Sequence, residues 1–153
     1  MDVFTVSFFG HRILEEWKDR EIEEVIKMLL IKYEYVEFLV GRSGDFDQLV
    51  SSTIRRVRRE WGSNNSSHTL VLPYLTAEFK NNEEILSKYY SEIEFCEASI
   101  NAHFKSAYQI RNREMVDRSN LIVCYLKNDF GGVYQTIKYA EKLGKRIINV
   151  AMK

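Results

Sequence analysis

Short apolar runs alternate along the chain with longer stretches in which apolar residues recur every three or four positions. This order predicts β-strands separated by amphipathic helices. Val3 to Phe9 is the first run, and Ile13 to about Tyr33 is the first helical stretch, with Trp17, Ile22, Val25, Ile26, Leu29 and Leu30 on one stripe. Val36 to Val40 predicts a second strand, and Phe46 to about Trp61 a second helix through Leu49, Val50, Ile54 and Val57. Gly62 to Ser67 reads as a polar connector, and Thr69 to Leu72 as a third strand stopped by Pro73, the only proline. Between Thr76 and Ser99 the pattern weakens to a helix around Glu83 to Tyr90 and a strand around Ile93 to Cys96. A helix over about Ala102 to Arg118 then leads to the continuous apolar run Leu121 to Leu126, which suits a central strand covered on both faces. A helix carrying Val133, Ile137, Ala140 and Leu143, closed by Gly144, and a last strand over Arg146 to Ala151 complete the chain. Such alternation is the signature of a parallel sheet with crossover helices, in one domain over residues 1–153.

In an open sheet of this kind the loops beyond the carboxyl ends of the strands share one crevice, and ligands bind there. Four junctions would line it. Gly10-His11-Arg12 follows the first strand, and a helix starting there would aim its unpaired N–H groups and positive dipole end at an anion, with Arg12 and His11 adding donors. Gly41-Arg42-Ser43-Gly44-Asp45, with Asp47 just inside the helix, follows the second strand; Pro73-Tyr74 follows the third. Gly131-Gly132, flanked by Asp129 and Val133, precedes the last helix. Glycine turns leading into helices suit phosphate, so a phosphorylated nucleoside is the expected ligand.

Tyr108 to Asp117 sets a dense polar cluster on the helix before the central strand. Tyr108, Arg111, Asn112 and Met115 share one face at three- and four-residue steps. That face would present a ring, a guanidinium and an amide to a ligand. The same spacing serves equally a core-facing helix with Arg111 paired to a carboxylate and Asn112 capping a loop.

Composition removes other classes. Lys plus Arg and Asp plus Glu number 22 each, so no global field draws the chain to long nucleic acid or an anionic membrane, and neither partner is expected. No apolar run approaches the roughly 18 residues of a membrane span, and a cytoplasmic location is expected. His11, His68 and His103 lie far apart without paired Cys or His spacing, so neither a metal nor a cofactor is expected. Cys124 sits inside an apolar run and reads as a buried structural thiol. Arg55-Arg56-Val57-Arg58-Arg59 lies on an amphipathic helix and reads as a solvated face. Ser43 lacks a Gly-x-Ser-x-Gly elbow, so a serine hydrolase is not suggested.

Phe9-Gly10-His11-Arg12 resembles the opening Thr-Gly-His-Arg of the SLOG superfamily of Rossmann-like proteins, and in particular its small bacterial YpsA-type members. Gly41 to Asp47 resembles the family's Gly-Gly-Ala-x-Gly-x-Asp turn. Tyr108 to Asp117 is similar to its Tyr-x-x-Arg-Asn-x-x-Met-Val-Asp helix, and Gly131-Gly132 with Thr136 and Tyr139-Ala140 to its last glycine turn and helix. The resemblance spans nearly the whole chain. It implies a Rossmann-like three-layer α/β/α fold with a mainly parallel sheet, a nucleotide or nucleotide-derived ligand such as an ADP-ribose-like or cyclic ADP-ribose-like signal, and a homodimer or higher homo-oligomer. It further implies a sensor or sequestering module, in bacterial or phage defence and counter-defence. Arg42 departs from the pattern, standing where a second glycine is usual. The related LOG enzymes, which hydrolyse nucleoside monophosphates, carry a glutamate where this chain has Ile137. No catalytic residue is therefore assigned; the alternative is a LOG-like N-glycosidase or phosphohydrolase using Asp45, Asp47 or Asp129, since an oxocarbenium-like state needs a nearby carboxylate.

Overall fold

The computed structural model describes residues 2–153. Six strands form one sheet in the order β4-β3-β2-β1-β5-β6, and every neighbouring pair is parallel. They are β1 (Val3–Gly10), β2 (Tyr35–Val40), β3 (Ser66–Leu72), β4 (Glu92–Phe95), β5 (Leu121–Tyr125) and β6 (Arg146–Asn149). The helices are α1 (Asp19–Lys32), α2 (Asp45–Trp61), α3 (Ala77–Asn81), α4 (Glu83–Tyr89), α5 (Phe104–Asp117) and α6 (Gly131–Lys142). This is the Rossmann-like α/β architecture, with helices on both faces of a parallel sheet.

Alternation along the strands divides the core in two. Val6 and Phe8 of β1, Phe38 of β2, Leu70 of β3 and Val123 of β5 face α1, α2, α3 and α4. Phe9, Leu39, Val71, Ile122 and Cys124 face α5 and α6, whose Met115, Val116, Ile137 and Ala140 close the second layer. Burial pushes the Cys124 thiol up to about 12, so it is an inert filler as its setting in the apolar run predicted. Among the described residues no helix is long and apolar enough to cross a membrane.

Three boundaries differ from the pattern reading. The first helix begins at Asp19 and not at Ile13, because residues 11–18 run as a loop that buries Leu14 and leaves Trp17 half exposed. The α1 amino end therefore does not aim at the Gly10 turn. β3 begins at Ser66 and not Thr69: Ser66, Ser67 and His68 are polar yet buried, since Arg58 Nε donates to the Ser66 hydroxyl and Ser51 holds the His68 ring. The last strand ends at Asn149, and Val150 to Met152 turn into a short 3-10 helix. α3 was not legible in the pattern at all.

The topology puts β1 between β2 and β5, with the chain crossing from the β4 edge back to β5 through α5. The carboxyl ends of β1 and β5 are thus the switch point at which the sheet opens a crevice.

Candidate functional site

A cleft of about 310 Å³ lies over the carboxyl ends of β1 and β5. Gly10, His11, Arg12, Gly41, Ser43, Asp47, Tyr108, Arg111, Asn112, Gly131, Gly132 and Val133, all expected at the site, line it. Gln109, Asn128 and Phe130 line it too, and no motif had singled them out. Phe130 precedes the α6 glycines with 68% of its surface exposed, which marks it as available to a ligand ring.

Other expected residues lie elsewhere. Arg42, Gly44 and Asp45 line a smaller pocket on the far side of the Gly41 to Gly44 loop. Asp129 faces a separate groove between β5 and α6, because the chain turns outward before Gly131. Pro73 and Tyr74 do not line the cleft: the Pro73 carbonyl accepts from the Ser99 hydroxyl, and the Tyr74 ring supports Tyr108 edge-on at 6.0 Å.

The glycines act differently from one another. At Gly10 a Cβ would stand 2.1 Å from Phe46 Cγ, so this glycine admits the Phe46 ring and not a phosphate. At Gly44 a Cβ would stand 2.5 Å from the Arg12 Cα, so the turn after β2 is pressed against the loop after β1. Asp45 completes that contact: its N–H donates to the Arg12 carbonyl at 2.8 Å, and its carboxylate accepts from the Leu14 N–H at 3.1 Å. Gly131 takes φ +92°, a conformation that side chains disfavour, and turns the chain into α6. Above Gly132 a Cβ would meet only the Gln109 amide nitrogen, at 3.2 Å, so backbone there lies open to the cleft.

Arg111 is the centre of the site. It is only 5% exposed, its Nη1 donates to the Val71 carbonyl at 2.8 Å, and its Nε donates to Asn112 Oδ1 at 3.0 Å. Asn112 in turn donates to Thr136 Oγ1 at 3.1 Å, and Thr136 donates to the Gly132 carbonyl at 2.9 Å. Asn112 thus has both ends engaged and positions Arg111 against the α6 turn. Nη2 of Arg111 finds no acceptor among the described residues, and no carboxylate closes an ion pair on the guanidinium. Burial pulls its ionisation below the usual arginine range, yet an arginine so far above neutrality stays charged. A buried cation with unfilled donors is costly until an anion arrives.

Asp47 closes the floor. Its Oδ2 accepts from the Ser43 N–H at 2.8 Å, and burial pushes its carboxyl above the usual range despite that bond and the nearby Arg111. Arg12 stands exposed at the rim with no ion pair among the described residues. The Tyr108 ring lies 5.2 Å from the Arg111 guanidinium, and burial raises its hydroxyl. His11 is less available than expected: its Nε2 accepts from the Lys127 N–H at 3.0 Å, and partial burial lowers its ionisation, so it secures the β5–α6 loop as a neutral ring. Ile137, at the position of the LOG glutamate, packs in the second core layer.

No family model matches the chain, and no curated protein matches its sequence. Among solved structures it is similar to DNA processing protein A (DprA) from Streptococcus pneumoniae, at 16% identity and a TM-score of 0.66, over 94% of this chain and 49% of that one. It is also similar to DNA processing protein A from Helicobacter pylori, described for its single-stranded DNA binding mode, at 13% identity and a TM-score of 0.65, over 94% of this chain and 63% of that one. The chain thus spans about half to two thirds of these structures, and the likeness is one of fold. It corrects one expectation. Net neutrality had argued against a long nucleic-acid partner, but a protein with this fold binds single-stranded DNA. Whole-chain charge averages over faces that a strand never meets, whereas binding depends on the local groove.

Proposed function

We propose that the cleft over β1 and β5 binds a nucleotide, taken up through its phosphate. The observation that carries this reading is the buried Arg111 with its vacant Nη2 donors, set beside the open α6 turn and the unpaired Arg12. Two or three charge-assisted hydrogen bonds, each contributing about 1.5–3 kcal/mol before desolvation, supply much of the roughly 8 kcal/mol of micromolar affinity, and base stacking adds the rest. Tyr108 on one wall and Phe130 on the other supply faces for a base. The motif resemblance to YpsA-type SLOG proteins supports use as a sensor or sequestering module for a nucleotide-derived signal of the ADP-ribose-like kind. The fold likeness to the DprA proteins supports a nucleotide presented within a single strand as well.

The test is a calorimetric titration with nucleoside monophosphates, the matching nucleosides and inorganic phosphate. Saturable binding of the monophosphates, at least tenfold tighter than either fragment, is expected. Equal affinity for nucleosides and their monophosphates removes phosphate recognition and this reading with it.

A second reading rests on Asp47, the one candidate aspartate that lines the cleft. Its raised carboxyl suits a general acid in a nucleotide N-glycosidase or phosphohydrolase. Chromatography of monophosphates incubated with the protein separates the readings: released base or phosphate that Asp47→Asn abolishes supports turnover, and intact ligand supports binding alone.

A further inference from the structure

Across the Gly41 to Gly44 loop lies the second pocket, of about 190 Å³, which shares Gly41 and Asp47 with the main cleft. Its walls carry Arg42, Glu78, Tyr89, Tyr90 and Ser51. Arg42, the departure from the expected glycine, points here: Nε donates to Glu78 at 3.0 Å and Nη1 to the Tyr90 hydroxyl at 3.0 Å. The Arg55 guanidinium lies 4.1 Å from the centre of the Tyr89 ring and has no ion pair among the described residues.

Beneath this pocket a buried imidazole holds Ser51. His68 is fully buried; its Nε2 lies 2.9 Å from the Ser51 hydroxyl, and its Nδ1 has no partner. Burial and the nearby Arg58 and Arg55 lower its pKa to about 3, so the ring is neutral and carries one hydrogen. On Nδ1 that hydrogen would be a buried N–H without an acceptor, so it sits on Nε2 and is donated to Ser51. Above Ser51 in the pocket wall, the Tyr90 hydroxyl accepts from Arg42. That hydroxyl donates to no acceptor among the described residues, and Tyr90 is 3% exposed and lines the pocket. The rim therefore offers a hydroxyl, the Arg42 guanidinium and the Glu78 carboxylate beside the Tyr89 ring. A phosphate would meet Glu78 and Asp45; a neutral heterocycle with a mixed donor and acceptor edge meets complementary groups.

We propose that this second pocket is a nucleobase subsite, so that the ligand comprises two nucleotide units joined through phosphate, the first held at Arg111 and the base of the next on Tyr89. The proposal rests on nucleotide binding in the main cleft. The same chemistry comes from a free dinucleotide or from consecutive units of a single strand.

The test is titration of the full chain with nucleoside 5′-monophosphates and with 5′-phosphorylated di- and tetranucleotides of the same bases. The dinucleotide is expected to bind at least about tenfold tighter than the mononucleotide. Tyr89→Ala and Tyr90→Phe, the latter keeping the ring and removing the hydroxyl together with the acceptor it gives Arg42, should each erase most of that gain while leaving mononucleotide affinity within about twofold. A further gain at the tetranucleotide assigns a strand as the source, and none assigns a free dinucleotide. Equal affinity for mono- and dinucleotide, or equal weakening of both by the variants, overturns the subsite alone. Failure of the mononucleotide to bind overturns the main-cleft reading and the subsite together.

Discussion

Gly10→Ala is the sharpest test of how the crevice is built. The added methyl would sit 2.1, 2.3 and 2.5 Å from Cγ, Cδ2 and Cβ of Phe46, all far inside contact distance. Because the Phe46 Cβ is among them, turning the ring does not clear the clash, and the first turn of α2 itself must move. Phe46 is fully buried, so the movement also disturbs its neighbours. Overpacking of this kind costs about 1–3 kcal/mol, and backbone involvement puts this case near the upper end. For a chain of 153 residues, about 3 kcal/mol corresponds to a fall in Tm of roughly 6–12 °C. Denaturant unfolding of the two single variants and of the double variant combining Gly10→Ala with Phe46→Ala measures it. Phe46→Ala alone should cost about 3–5 kcal/mol through its cavity; it removes the Cγ and Cδ2 contacts with the added methyl but keeps the Cβ 2.5 Å away, so it relieves the clash only in part. The pair should thus be less destabilised than the sum by about 1 kcal/mol. A Gly10→Ala cost below about 0.5 kcal/mol, or strict additivity, would show that the ring does not impose glycine here.

Four further outcomes concern the site and the core. Arg12→Ala should weaken nucleoside monophosphate binding about tenfold, some 1.4 kcal/mol, with Tm unchanged; equal affinity removes Arg12 from the site. Tyr108→Phe should bind as the parent does, whereas Tyr108→Ala should lose about 1–3 kcal/mol, and a Tm loss without an affinity loss would make the ring structural. Gly131→Ala should lower unfolding free energy by about 1–2 kcal/mol, since φ +92° strains any side chain, and an unchanged midpoint in denaturant would contradict that. His68 is buried neutral with its pKa lowered to about 3 against 6.5 when unfolded, so the unfolded chain binds more protons between those values. Its stabilisation is complete above pH 6.5 and lost as pH falls towards 3, by roughly 4–5 kcal/mol. His68→Gln should flatten stability over that window, and an unaltered slope refutes the assignment.

The alternation of strands and helices was legible because the four central strands are largely buried on both faces and each long helix on one. What the periodicity missed was decided by contacts distant in sequence. The start of α1 moved because Asp45, far outside any local window, captures the Leu14 N–H and keeps residues 11–18 as a loop. Ser66 and Ser67 looked like the end of a polar connector, and the strand takes them in because the Ser66 hydroxyl and the neighbouring His68 ring are satisfied by Arg58 and Ser51 of α2. The cleft was largely legible, since parallel topology brings the glycine turns together whatever their details. Individual roles were not. Spacing placed Tyr108, Arg111 and Asn112 on one face, but only the geometry separates a donor with vacant valences from an amide used up in positioning it. Arg42 and Asp129 lay in the right loops and point away, a choice made by side-chain direction within loops whose ends alone the topology fixes.

The strap formed by Asp45 between the loop after β1 and the start of α2 has a consequence for binding entropy. A loop of this length left free would have to be immobilised residue by residue, at about 1–2 kcal/mol of backbone entropy each. Two hydrogen bonds and the close seat on Gly44 immobilise it during folding instead, so a ligand reaching Arg12 has only the side chain left to order, at about 0.5–1.5 kcal/mol. Because the strap joins the rim of one pocket to the helix that walls the other, loosening it would raise the entropic cost of occupying both.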